Sequence, residues 1–298
     1  MPGLSQKPTA AALVTRLANR FRRAGLYYGH GTDNPRDDAA ALVMHVMAIA
    51  PDAPASAWRR KVNGAALARV GELAEQRIQQ RVPVAYLTQR CWFAGLPMHV
   101  DQRVLIPRSP LAETIEQRFQ PWINSGRVRR ICDMGTGSGC IAIACARAFP
   151  RAGVDAVDVS PQALQVARLN VAAHRLGKRV HPVLSSHFSG LKGITYDIIV
   201  SNPPYVGEAE MSVLPSEYRH EPALALAAGR DGLDSVRVLL KQSPRHLRAG
   251  GILVVEVGNS EHAVRRHFRR LPFMWLSFTR GGGGVFLLTR EQLVQAGR

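Results

Sequence analysis

Apolar residues recur along this chain with two different periods. Over residues 9–24, 36–50 and 64–81 they return at helical spacing, which predicts three helices. The middle one is apolar on nearly every face from 39 to 47, so it is expected at the centre of a small bundle. From 83 to 106 the character changes. Trp92-Phe93-Ala94-Gly95-Leu96-Pro97-Met98-His99-Val100-Asp101 is aromatic, partly β-branched and broken by glycine, which predicts a β-hairpin. Beyond Val128 short apolar runs at 128–134, 153–159, 179–184, 195–201, 251–257, 273–279 and 285–289 alternate with helical stretches near 139–148, 161–176, 232–248 and 260–270. Alternation of this kind predicts an α/β fold, a mainly parallel sheet with helices on both faces. Gly281-Gly282-Gly283-Gly284 between the last two runs suits a tight antiparallel hairpin. The expected organisation is a helical domain over 1–82, a β-hairpin connector over 83–110 and an α/β catalytic domain over 111–298.

One stretch has little periodicity, 206–230. An unstructured segment of that length inside a compact domain is usually functional. It follows directly on Asn202-Pro203-Pro204-Tyr205, which in turn closes the apolar run Tyr196-Asp197-Ile198-Ile199-Val200-Ser201. Pro203 and Pro204 fix the backbone and remove two N–H donors. What is left is a rigid surface of acceptors, the Asn202 side-chain oxygen and the Pro203 carbonyl, beside the flat ring of Tyr205. Two acceptors on one side fit a planar NH2 group on an sp2 carbon, an amide or an adenine. Held so, the nitrogen can turn its poorly available lone pair toward an electrophile.

Composition narrows the class. The 298 residues are 46% hydrophobic, enough for a large core, and no run of 18 apolar residues predicts a membrane span. No signal-peptide core is expected at the N-terminus. The first 25 residues are Arg-rich and free of acids, a composition shared by organelle-address peptides and ordinary amphipathic helices; a cytoplasmic protein is expected. Cys91, Cys132, Cys140 and Cys145 form no Cys-x-x-Cys pair, so buried reduced thiols are expected and no metal site. A net charge of +17, from 39 Lys and Arg against 22 Asp and Glu, favours an acidic partner such as nucleic acid or a ribonucleoprotein particle.

The second candidate site is Asp133-Met134-Gly135-Thr136-Gly137-Ser138-Gly139, at the end of the first expected sheet strand and the start of a helix. Its glycines allow a tight turn and close approach of a ligand to backbone. Asp158 ends the next strand, about 20 residues further on, where a carboxylate can hold both hydroxyls of a ribose. The dinucleotide fingerprint would need a third glycine at 140, which is Cys140, and no Gly-Lys-Ser/Thr phosphate loop exists. Asp133 would repel a phosphate and attract an ammonium. A ribose, an ammonium and no phosphate describe S-adenosylmethionine.

On these residues the chain resembles the HemK-type protein-glutamine methyltransferases, over about 84–293. Pro107-Arg108-Ser109-Pro110, Glu217-Tyr218-Arg219-His220-Glu221-Pro222 and 224–229 resemble the branch that methylates the third protein of the large ribosomal subunit. The resemblance implies a seven-stranded class I methyltransferase sheet and an N-terminal helical domain that helps choose the protein substrate. It implies S-adenosylmethionine contacts at Gly135 through Gly139, including Thr136 and Ser138, and at Asp158, with amide binding at Asn202 to Tyr205. It leaves ribosomal RNA or an assembly particle as a further contact. One position departs from the pattern. After the third strand the family has an acidic residue and then an apolar or aromatic one beside the adenine; here these are Ser186 and His187. His187 is left to stack on adenine without a carboxylate partner for its amino group, so weaker cofactor binding is expected. The same residues admit release factors, nucleic-acid adenine, or a non-catalytic ribosome-assembly role as rival readings. Arg108 is expected either at the site or as a solvated linker residue.

Overall fold

The first apolar stripe folds as helix Ala10–Arg23, which buries Leu13, Val14, Leu17 and Phe21 on one face. Thr9 caps it, accepting from the Ala12 N–H. Asn34 and Asn63 cap helices Pro35–Met47 and Gly64–Gln79 in the same way, each satisfying N–H groups that have no partner within the helix. Leu42 and Val43 of the middle helix are fully buried, as its near-uniform apolarity requires. In this computed structural model, which describes residues 7–296, the chain divides into two units. One comprises the residues up to Arg90 together with Pro215–His220; the other comprises Cys91–Leu214 and everything from Glu221 onward. Thus a short piece of the aperiodic loop belongs with the helices. Its anchor is Arg77, which is 2% exposed. Arg77 donates to Asp38 Oδ2 at 2.8 Å, to the Tyr27 carbonyl at 2.6 Å and to Glu217 Oε1 at 3.3 Å. A buried guanidinium must be satisfied on every side, and two carboxylates and a carbonyl do so here. The sequence reading missed it.

The expected hairpin is β1 (Arg90–Phe93) and β2 (Leu96–His99). Ala94 and Gly95 between them both have positive φ, 48° and 71°, the left-handed pair that matches the twist of a two-residue hairpin. The sheet is built from β3 (Arg130–Met134), β4 (Gly153–Asp158), β5 (Val180–Leu184), β6 (Tyr196–Ser201), β7 (Leu247–Glu256), β8 (Met274–Trp275) and β9 (Val285–Thr289). Its order is β5-β4-β3-β6-β7-β9-β8. Pairing is parallel from β5 through β7 and antiparallel at β9 and β8. Ile198, Ile199, Val200 and residues 252–255 are fully buried, as expected of strands covered on both faces.

Two features differ from expectation. The last hairpin is not tight: β8 stops at Trp275 and the chain returns only at Val285. Leu276 N–H still donates to the Val285 carbonyl at 2.9 Å; further on, the Thr279 and Arg280 N–H groups turn to the Glu113 carboxylate. A terminal helix, Arg290–Ala296, also went unread. Its start was legible: Gln292 N–H donates to the Thr289 hydroxyl while Thr289 N–H donates to the Gln292 side chain, a reciprocal Thr-x-x-Gln capping box.

The topology positions everything that follows. The chain builds outward on one side of β3 through β4 and β5, then crosses to β6 and β7 on the other. The seam between β3 and β6 is where strand order reverses, and ligands of open α/β sheets lie beyond the carboxyl ends of strands at such a seam. Met134 pairs with Val157 on one side and Ser201 on the other. Asp158 and Asn202, one residue further along, therefore leave the sheet at the same end as the glycine turn.

Candidate active site

The glycine turn is shaped by its neighbours. Gly135 and Thr136 N–H both donate to the Val157 carbonyl, at 2.8 and 2.9 Å, so the chain doubles back over β4. Gly135, Gly137 and Gly139 have φ of 75°, 53° and 81°, a region that L side chains rarely adopt. At Gly139 a Cβ would also come within 3.3 Å of the Ala167 methyl, so only glycine lets helix Cys140–Ala148 start this close to helix Pro161–Ala173. The Asn170 amide donates to the Ser138 carbonyl at 2.8 Å and to the His99 carbonyl at 2.9 Å, tying turn and hairpin to the second helix.

Asp133 lies under this turn, not in the cavity. It is fully buried. Its Oδ2 accepts from the Thr136 hydroxyl at 2.5 Å and from Ala142 N–H at 3.0 Å, and Oδ1 has no partner. Burial pushes its carboxyl up to about 7, against the pull of those two donors. Asp133 is not among the residues that line the cavity; its Oδ2 braces the loop.

Asp158 is in the wall. Oδ2 accepts from Gly137 N–H and Oδ1 from Ser160 N–H, both at 2.9 Å. Burial raises its pKa while these N–H groups lower it; the net shift is upward. Each oxygen keeps acceptor capacity for a further donor. His187, at φ 50°, and Ser186 line the same cavity. Burial lowers the pKa of His187, which favours the neutral ring, the form suited to stacking.

Across the seam, Asn202, Pro203 and Pro204 line the cavity. The Asn202 Oδ1 is buried and has no hydrogen-bond partner. An orphaned acceptor of this kind costs about 1–3 kcal/mol, and a ligand N–H is what would recover it. Tyr205 is not in the wall. Its ring packs on Gly258, where a Cβ would lie 2.7 Å from it, and its carbonyl accepts from the Ser260 hydroxyl. These contacts hold Tyr205 beside Gly258 and Ser260, outside the lining of the cavity.

The whole cavity measures about 380 Å³, within the range of small-molecule sites. Gly135 to Ser138, Cys140, Asp158, Ser186 and His187 form one side; Asn202 to Pro204 and the turn at 222–227 form the other. Arg108 also lines it, with a two-pronged contact to Glu221 at 2.6 and 2.7 Å, so it is a site residue rather than a solvated linker. All four cysteines are buried and unpaired. Burial pushes the Cys140 thiol, which borders the cavity, up to about 12, so it is not a thiolate nucleophile.

Glu256 escaped the sequence reading, although a carboxylate at the end of the apolar run 252–256 was a signal. It is 5% exposed, accepts from the Ser109 hydroxyl and lies 3.4 Å from the Tyr205 hydroxyl. Burial lifts its carboxyl from 4.5 to about 7. Between those values the folded protein keeps a proton that the unfolded chain has released. Its contribution to stability is then fullest below 4.5 and declines as pH rises to about 7, by roughly 3 kcal/mol at most. Glu256→Gln should flatten that part of the stability profile, which urea unfolding followed by circular dichroism between pH 4.5 and 7.5 would read.

Comparison with known proteins agrees with this architecture. Residues 111–215 match the methyltransferase small domain model and residues 12–88 the PrmC N-terminal domain model. The ribosomal protein uL3 glutamine methyltransferase of Bordetella pertussis is 44% identical over 96% of this chain and 96% of its own length. That of Neisseria meningitidis is 43% identical over 97% and 96%. Among solved structures, the hMettl16 catalytic domain in complex with an RNA hairpin superposes with a TM-score of 0.52 at 19% identity, over 76% of this chain and 81% of that one, a likeness of fold alone.

Proposed function

The chain belongs to the ribosomal protein uL3 glutamine methyltransferases, and from that premise we propose how its residues divide the work. The reaction is transfer of a methyl from S-adenosylmethionine to the side-chain amide nitrogen of a glutamine in uL3, a protein of the large ribosomal subunit. The observation that carries the chemistry is the orphaned Asn202 Oδ1 in a cavity that also contains Asp158 and the glycine turn.

The residues fit the cofactor. Gly135 to Gly139 leave backbone open to it, Asp158 has acceptor capacity for its ribose hydroxyls, and His187 offers a flat neutral ring for its adenine. When bound, S-adenosylmethionine supplies a methyl carbon made electrophilic by the sulfonium. Asn202 and the Pro203 carbonyl each accept one N–H of the substrate amide, turning its lone pair across the seam. Pro204 and the Tyr205–Gly258 contact keep that pair of acceptors from rotating away. No strong base is required of the cavity wall, since an amide nitrogen that has gained a carbon is itself acidic.

An assay offering labelled methyl donor with isolated uL3, a release factor and an adenine-containing oligonucleotide tests the reading. Incorporation into uL3 alone is expected; incorporation into either other substrate, or none, overturns it. The net charge of +17 supports a further contact with ribosomal RNA, which would make transfer to a uL3-containing particle more salt-sensitive than transfer to free uL3.

Ser186 gives a separate prediction. With serine where the family resemblance leads one to expect a carboxylate, the adenine amino group lacks a charged acceptor. Ser186→Asp should tighten S-adenosylmethionine by about tenfold, the worth of a charge-assisted hydrogen bond, as read by calorimetric titration.

A further inference from the structure

Leu224 is a large apolar residue left 59% exposed on the wall of the same cavity that contains Asn202. Single exposed leucines are ordinary; this one is held in place from both sides. Ahead of it, Glu221 accepts from the Ile106 N–H at 3.0 Å and grips the Arg108 guanidinium. Behind it, Val206 and Ala227 form a parallel bridge. There Val206 N–H donates to the Leu226 carbonyl and Ala228 N–H to the Val206 carbonyl, both at 2.9 Å. Leu224 itself sits in a 3-10 turn, Ala223–Ala225. Because Val206 directly follows Tyr205, this bridge fixes the turn to the amide-binding motif. Pro222, Ala225 and Ala227 extend the apolar wall on either side of it.

We infer that Leu224 docks the polypeptide beside the target glutamine, through an apolar side chain next to it in the substrate chain. A glutamine amide that reaches Asn202 must bring its backbone and neighbours to the rim of the cavity. The rim offers them a rigid hydrocarbon face, with Arg108 neutralised by Glu221. A mobile loop would lose ordering entropy on contact; a pinned turn loses little. Apolar contacts of this size discriminate by about tenfold or more. The inference rests on the cavity being a glutamine site, and its test separates the two ideas.

Initial rates over a range of uL3 concentrations would be measured for the full-length protein and its Leu224→Asp, Leu224→Ser and Leu224→Met variants. Calorimetric titration of S-adenosylmethionine into each serves as the check on folding. Leu224→Asp is expected to raise KM for uL3 about tenfold, Leu224→Ser less, and Leu224→Met to stay within about twofold of the parent, with cofactor affinity the same throughout. A KM for Leu224→Asp and Leu224→Ser equal to the parent's, or a loss confined to kcat, overturns the docking role. If the parent transfers no methyl to uL3, it is the glutamine reading itself that has failed.

Discussion

Asn202→Ala is expected to lower turnover by about a thousandfold, the effect of removing one preorganised polar group aimed at a reacting centre, while S-adenosylmethionine binds almost as before. The reason lies in what Oδ1 lacks. It is buried without a partner, so the fold carries an unmet acceptor at the end of β6 in the free enzyme. Nothing in the resting structure gains from that arrangement; a substrate N–H does. Without the side chain only the Pro203 carbonyl is left to orient the amide, and the NH2 plane is free to swing so that its lone pair stays in conjugation. Rapid-quench measurement at saturating cofactor and uL3 reads the change in the methyl-transfer step. A rate within tenfold of the parent would remove Asn202 from the chemistry.

Asp158→Ala is expected to show the opposite signature: a loss of cofactor affinity of about a hundredfold or more, with the acceptor side intact. The carboxylate has two duties. It accepts from Gly137 and Ser160 N–H, which shapes the turn, and its remaining lone pairs face the cavity. Losing two charge-assisted hydrogen bonds costs about 3–4 kcal/mol, and two backbone donors are orphaned as well. Asp158→Asn keeps one acceptor oxygen and should fall between. Because burial raises this carboxyl's pKa, cofactor affinity in the parent should weaken on acidification at a higher pH than for an ordinary aspartate. Calorimetric titration of cofactor across pH reads both effects. Affinity in Asp158→Ala equal to the parent's would remove the ribose contact.

Much of this was legible in the sequence because the relevant signals are local. The switch from helical to strand periodicity near 83, the hairpin at Trp92 to Asp101, and the glycine turn each depend on residues close in the chain. The alternation after 128 predicts a mainly parallel sheet, and the glycines at 281–284 predict the antiparallel pairing of the last two strands, although their connection is longer than a tight turn. What escaped depends on residues far apart. The surroundings of Tyr205 come from Gly258 and Ser260, more than fifty positions on, which hold its ring and its carbonyl. Asp133 is a local exception: the Thr136 hydroxyl and the Ala142 N–H, three and nine positions on, hold its Oδ2. The chain beyond β8 turns to Glu113, over a hundred and sixty residues away. Helical periodicity over 64–81 says nothing of Arg77's burial, because its carboxylate partner at Glu217 lies 140 positions on, in a loop without periodicity.

The reversal of strand order at the β3–β6 seam has a consequence for how such a molecule can change. Everything on one bank, Gly135 through His187, is encoded before Tyr196, and the motif with its trailing loop is encoded after it. Exchange of the later segment for another of the same strand length would alter how the recipient amide is held at the cavity without disturbing the source of the methyl. Chimeras joined within β6 should accordingly keep the parent's affinity for S-adenosylmethionine, read by calorimetric titration, while their grip on the recipient amide changes.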